Sequence, residues 1–228
     1  MTGSLVSTGT RAKVRGWMEP VALLLGRIGL TPNALTVIGF LIACLAAVAA
    51  GAQAWLAAGA LVLFGSVFDL FDGALARATG KASKLGAFLD STLDRAGEGV
   101  IYVGIVWGTL DLGLWRPTIL AAAAMASAFM VSYTRAKAES LGFTTGTGMA
   151  SVGLAPREVR IVILTLGLLG TGIVGTGFES TCDTCAGGMA YPLGALVLEA
   201  ALGLIAVLAT VTTIQRIVHT VRQAAQQR

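Results

Sequence analysis

Asp69, Asp72, Asp90 and Asp94 fall within one stretch, FDLFDGALARATGKASKLGAFLDSTLDRAGEG, residues 68–99. Asp69 and Asp72 are three residues apart and Asp90 and Asp94 four, so on helices each pair shares a face. A turn centred near residue 81 folds the two segments antiparallel, with 72 and 90 equidistant from it and 69 and 94 nearly so. Helical rise then places all four carboxylates roughly 13–20 Å from the turn, at similar depth. Four facing carboxylates repel one another and are costly to take out of water. A divalent cation is the simplest compensation, and an all-oxygen set suits Mg²⁺, Mn²⁺ or Ca²⁺ rather than zinc or copper. Such a set can hold two ions, the arrangement that clamps phosphoryl oxygens. Pairing with Arg77 or Arg95 would explain one buried aspartate, but not four at symmetric spacing. Gly73 and Gly86 beside them let a flat ligand approach the backbone, or let helices pack closely.

The elements that carry these residues are apolar. The chain of 228 residues is 55% hydrophobic and 12% charged, with mean hydropathy +0.80. That composition predicts an all-α integral membrane protein, since a span needs about 20 mostly apolar residues. Six transmembrane helices are expected, near 33–51, 54–78, 84–109, 117–139, 156–175 and 190–218. Residues 10–28 carry too much charge to span and read as an amphipathic juxtamembrane helix. Thr31 is the expected N-cap of the first span, with Pro32 in its first turn. No polar stretch is long enough for a separate soluble domain. Residues 1–228 therefore read as one membrane domain, with a bundle over 32–220. The first 20 residues show no apolar core followed by a small-residue cleavage site, so no cleaved signal peptide is expected.

Six crossings place fourteen of the sixteen Lys and Arg residues on one side; Arg116 and Arg95 are the exceptions. The positive-inside rule then puts both termini in the cytoplasm and the aspartates toward it, at the cell membrane. The net charge of +4 reads the same way, and nucleic acid is not an expected partner. Cys44 stands alone in an apolar run, and Cys182 and Cys185 form a CxxC in a Gly-rich loop. With one histidine in the chain, His219, a loop disulfide or two free thiols is favoured over zinc.

The aspartate stretch reads D-x2-D-G-x2-A-R-x8-G-x3-D-x3-D, as Asp69, Asp72, Gly73, Ala76, Arg77, Gly86, Asp90 and Asp94. This resembles the signature of the CDP-alcohol phosphotransferase family at every position. The six-span layout, the amphipathic N-terminal helix and the TPNALT segment at 31–36 extend the resemblance over most of the chain. The resemblance implies that a hydroxyl attacks the β-phosphorus of a CDP-linked lipid and CMP leaves. It implies one Mg²⁺ held by Asp69, Asp72 and Asp90, and a second by Asp69, Asp90 and Asp94, with Mn²⁺ as a possible substitute. Asp94 would also be the catalytic base. Gly73, Arg77 and Ser83 match positions that contact CDP-diacylglycerol, and Pro32, Asn33, Ala34 and Leu35 match another such segment. A homodimer is implied as well.

The signature leaves the acceptor open. SYTRAKAES at 132–140 puts Ser132 and Arg135 on one helix face, and APREVRIVI at 155–163 does the same for Arg157 and Arg160. Arginines converging on a helix N-terminus suit an acceptor that carries its own phosphate, although snorkelling basic residues also collect on a cytoplasmic face. These segments resemble the phosphatidylinositol-phosphate synthase branch of actinobacteria and its archaeal relatives. That resemblance implies an inositol 1-phosphate pocket of Ser132, Arg135, Arg157 and Arg216. One departure is present: the branch carries two Glu-Arg pairs where this chain has Pro156-Arg157 and Val159-Arg160. Glycerol 3-phosphate, giving phosphatidylglycerol phosphate or its archaeal equivalent, is the alternative acceptor. A cation transporter using the acidic cluster is the alternative from another class, with Glu199 as the one intramembrane acid on the first, fourth, fifth and sixth spans that could continue a path.

Overall fold

The computed structural model describes residues 20–143 apart from 22 and 28, residues 152–176, and residues 191–226. Among the described residues there are six long helices and no strand. They are α1 (Pro32–Gly51), α2 (Trp55–Ala78), α3 (Lys84–Asp111), α4 (Trp115–Ser140), α5 (Arg157–Val174) and α6 (Leu193–Gln226). The expected helix over 10–28 lies mostly outside the described residues, which include a helical segment at 23–27. Cys182 and Cys185 lie outside them too.

The helices begin where local chemistry starts them. The Thr31 hydroxyl accepts the N–H of Ala34 at 3.2 Å, and Pro32 opens α1. Ser83 caps α3 in the same way, accepting the N–H of Gly86 at 3.0 Å. Between α2 and α3, Gly80 takes the positive φ of 65° that ends α2. The reversal therefore falls where the symmetric aspartate spacing requires it.

The six helices close into a ring. α1 packs on α2 and α3, α3 on α4, α4 on α6, α6 on α5, and α5 on α2. All six contribute to one core, from Ala46 and Ala50 on α1 to Leu202 and Ile205 on α6. Small residues allow the closest approaches. Gly104 and Gly108 of α3 lie against the α1 backbone at Ala47 and Ala50, where a Cβ would not fit. The outward faces are apolar, with Ile173 76% exposed and Trp115, Leu110 and Val207 also out. Water does not tolerate so continuous an apolar surface, and lipid does. The chain is a multi-pass membrane protein.

Four helices, α1, α2, α4 and α6, are long and apolar enough to cross a membrane. α3 and α5 fall short of the expected six by composition. α3 carries Asp90, Asp94, Arg95 and Glu98 within its first fifteen residues, and α5 opens with Arg157, Glu158 and Arg160. Most of these charges point into the ring: Glu98 and Arg160 are buried, and Asp90, Asp94, Arg95 and Arg157 half-buried. At the far end, Glu199 of α6 pairs with Arg116 of α4 at 3.2 Å and accepts the Tyr191 hydroxyl.

Candidate active site

The aspartates come from α2 and α3, which share one cleft without packing directly on each other. α1 bounds the cleft on one side and α5 on the other. Thr36, Gly39, Asp69, Asp94, Glu98 and Arg157 are among its lining residues. Asp72 is buried, and its carboxylate accepts the Thr36 hydroxyl at 2.7 Å. Asp69 and Asp94, on opposite helices, both meet Arg157. One guanidinium nitrogen lies 2.7 Å from Asp69 Oδ2 and the other 2.9 Å from Asp94 Oδ2. A single planar fork spans both carboxylates, so 69 and 94 share a depth as their spacing predicts. Arg95 adds a longer contact to Asp94 at 3.6 Å, and Asp90 stands half-buried with no ion pair among the described residues.

Among the described residues no three acidic, His or Cys side chains are drawn together as a ready metal shell. Two of the four carboxylates turn to Arg157 instead. The donor set still fits a hard divalent cation, since every member is a carboxylate. The backbone also makes room for the Asp69 carboxylate. A Cβ on Gly39 would stand 2.6 Å from Asp69 Oδ1, so only glycine lets that carboxylate lie where it does. Gly39→Ala is expected to push the Asp69 carboxylate aside and raise the half-maximal metal concentration for turnover about tenfold, with the fold retained. A metal titration of the purified variant checks this, and an unchanged midpoint would show that Asp69's position does not matter.

The residues expected at the CDP-lipid divide into two groups. Asn33 Oδ1 and Ser83 Oγ each lie 3.1 Å from where a Gly86 Cβ would stand, so the starts of α1 and α3 meet over that glycine. Arg77 folds back over Gly73, its guanidinium 3.2 Å from the corresponding Cβ position. Pro32 and Ala34 are half-buried at the start of α1. The Leu35 side chain is fully buried in a small cluster with Leu75, so it packs the core.

The acceptor set is not brought to one point. Arg157 sits among the aspartates, as above. Arg135 pairs with Glu139 at 2.8 Å on its own helix, half-exposed. Arg216 is buried and donates to two carbonyls, Val131 at 2.5 Å and Val152 at 3.0 Å. The Ser132 hydroxyl donates to Ala128 O at 3.3 Å. Arg216 reaches α4 at Val131, next to Ser132 in sequence, and Arg95, Arg135 and Arg160 lie near enough for their charges to bear on Arg216.

Thr36 and Glu98 are not singled out by spacing and type, and Arg160, read there beside Arg157, takes a different partner. Thr36 is the last residue of TPNALT, one turn beyond Pro32. Glu98 continues the series Asp90, Asp94 at the next i+4 step and is an acid midway along an apolar helix, which is itself a signal. Arg160 is its partner, with side-chain bonds of 2.8 Å to each carboxylate oxygen.

The family model described as CDP-alcohol phosphatidyltransferase matches residues 29–221. The archaetidylinositol phosphate synthase of Pyrococcus horikoshii is 43% identical over 154 residues, covering 68% of this chain and 77% of the relative. The phosphatidylinositol phosphate synthase of Cutibacterium acnes is 35% identical over 219 residues, covering 92% and 96%. The crystal structure of Mycobacterium tuberculosis phosphatidylinositol phosphate synthase with CDP-DAG bound superimposes with a TM-score of 0.72 at 27% identity, covering 89% of this chain and 92% of that one. The same enzyme in complex with manganese and citrate gives a TM-score of 0.71.

Proposed function

The chain belongs to the CDP-alcohol phosphatidyltransferase family, and from that premise we propose that it transfers the phosphatidyl group of CDP-diacylglycerol to inositol 1-phosphate and releases CMP. The observation that carries this reading is the placement of Asp69 and Asp94, from the two halves of the signature, on one cleft where Arg157 of α5 contacts both. The names of the archaeal and bacterial relatives support the acceptor.

Asp69, Asp72 and Asp90 would hold one divalent ion and Asp69, Asp90 and Asp94 a second, Mg²⁺ with Mn²⁺ as a substitute. The manganese complex of the M. tuberculosis enzyme supports a divalent requirement. When bound, the metal supplies positive charge at the pyrophosphate. Thr36 fixes the Asp72 carboxylate by its hydrogen bond. Asp94 takes the proton from the acceptor hydroxyl as that oxygen bonds to the β-phosphorus. The phosphoanhydride bond to CMP breaks, and CMP leaves with the electron pair. Arg77, folded over Gly73, together with Ser83 and the Pro32–Leu35 segment, is assigned to the CDP-lipid. Ser132, Arg135, Arg157 and Arg216 are assigned to the acceptor phosphate, and Arg157 also contacts Asp94.

All six helices are assigned as spans of one domain covering residues 1–228, with 10–28 at the interface. α3 and α5 complete a closed ring, and a ring with two members outside the bilayer would expose polar faces to lipid. The distribution of basic residues supports cytoplasmic termini and a cytoplasmic active site in the cell membrane. The family resemblance supports a homodimer.

Arg135→Ala is expected to raise the acceptor KM about tenfold and to leave the KM for CDP-diacylglycerol within about twofold. The opposite split would move Arg135 to the CDP-lipid. The acceptor reading is tested by CMP release from CDP-diacylglycerol. Release that depends on inositol 1-phosphate supports it, and release that depends only on glycerol 3-phosphate replaces it with phosphatidylglycerol-phosphate synthesis. A transport path has less support, because the acids that could extend one are already paired, Glu98 with Arg160 and Glu199 with Arg116 and Tyr191.

A further inference from the structure

Glu98 and Arg160 lie one step below the aspartates, outside the signature, and are among the most buried charges in the protein, 6% and 1% exposed. Both guanidinium contacts to the carboxylate are 2.8 Å, and a third bond runs from Arg160 to Ala155 O at 3.0 Å. Ala155 is held from the other side, because its N–H and that of Leu154 both donate to Thr212 Oγ1 of α6, at 2.9 and 3.1 Å. The chain entering α5 is thus fixed to α3 and α6 at once. A buried ion pair is a poor source of stability, since apolar residues of similar volume often do as well. What a bidentate fork does fix is orientation.

Arg157 depends on that orientation. It stands three residues before Arg160, on the same face of α5. Its Nε is buried without a hydrogen-bond partner, so its stem is not anchored by bonds of its own. Its two ion pairs to Asp69 and Asp94 therefore depend on where the first turn of α5 is held.

We infer that Glu98 and Arg160 are positioning residues for the acceptor side of the site: their fork holds the first turn of α5 so that Arg157 meets Asp94 at the point where the acceptor hydroxyl must arrive. This rests on the assignment of Asp94 and Arg157 made above. The residues assigned to the CDP-lipid lie on α1, α2 and the start of α3. Loss of the fork therefore separates the two substrates, weakening acceptor use while sparing the CDP-lipid.

Two variants of the full-length protein test this. Glu98→Gln combined with Arg160→Gln leaves no unpaired buried charge, and Arg160→Lys keeps the charge but cannot form the fork. Each is compared with wild type for melting temperature and for the KM of each substrate. The expected result is an acceptor KM raised about tenfold in both, a CDP-diacylglycerol KM within about twofold, and a double variant that melts close to wild type. An unchanged acceptor KM in either folded variant, or equal weakening of both substrates, would overturn the inference and leave the pair a packing feature. The acceptor used is whichever of inositol 1-phosphate and glycerol 3-phosphate the wild type incorporates, so an error in the acceptor assignment shows in the wild type and not in the variants.

Discussion

Asp94→Asn is expected to lower turnover by about 10²–10⁴-fold, the usual contribution of a positioned base. Asparagine keeps the shape of the side chain, and its oxygen can still accept from Arg157, whose nitrogen lies 2.9 Å from Asp94. What it cannot do is take a proton from the attacking hydroxyl. Binding of CDP-diacylglycerol, measured directly, is expected to stay within a few fold, because the residues assigned to it lie elsewhere. Asp94 is also assigned to the second ion, and added Mg²⁺ separates the two roles. A lost ligand is rescued by excess metal, and a lost base is not. Normal turnover in Asp94→Asn, or full rescue by Mg²⁺, would remove the base assignment.

Asp69→Asn is expected to have the second large effect, through the metal. Asp69 is assigned to both ions and contacts Arg157 at 2.7 Å. Losing an outer-shell partner of a metal typically costs about 10–100-fold in affinity, so losing a shared ligand is expected to cost more than about 100-fold. The thermal signature is distinct from simple unfolding. Without metal, removing one of four facing carboxylates relieves repulsion, and Arg157 keeps Asp94, so the melting temperature is not expected to fall. With Mg²⁺, the variant is expected to lose the stabilisation that the wild type gains from binding. A variant that melts lower without metal and still gains from Mg²⁺ as the wild type does would place Asp69 in the structural framework.

Much of this site was legible because its determinants are local. Thr31, Pro32 and Ser83 act within four residues of themselves, and their helices begin where those residue types predict. The aspartate pairs were legible through helical periodicity and the symmetry of a hairpin about Gly80 and Lys81. What could not be read is set by ring closure. Arg157 meets Asp69 across 88 residues of sequence, and Arg160 meets Glu98 across 62. No periodicity carries that information. Packing of α5 against α2 turns a residue expected at the acceptor into a partner of the carboxylates. Arg216 shows the limit of reading charge by side of the membrane. Its position predicts a cation at the cytoplasmic face, and what that position leaves unread is its burial and its bonds to carbonyls of α4 and of the chain before α5. α3 and α5 reverse the case: their charges make them less apolar than the other four helices, and most of those charges face the interior.

The identity of the acceptor is tested most directly by label transfer. The purified protein is given CDP-diacylglycerol and Mg²⁺ with labelled inositol 1-phosphate or labelled glycerol 3-phosphate, each with and without a chelator. The expected result is metal-dependent label in lipid from inositol 1-phosphate alone. Label from glycerol 3-phosphate alone would contradict the acceptor assignment, and label that persists in the chelator would contradict the role given to the four aspartates.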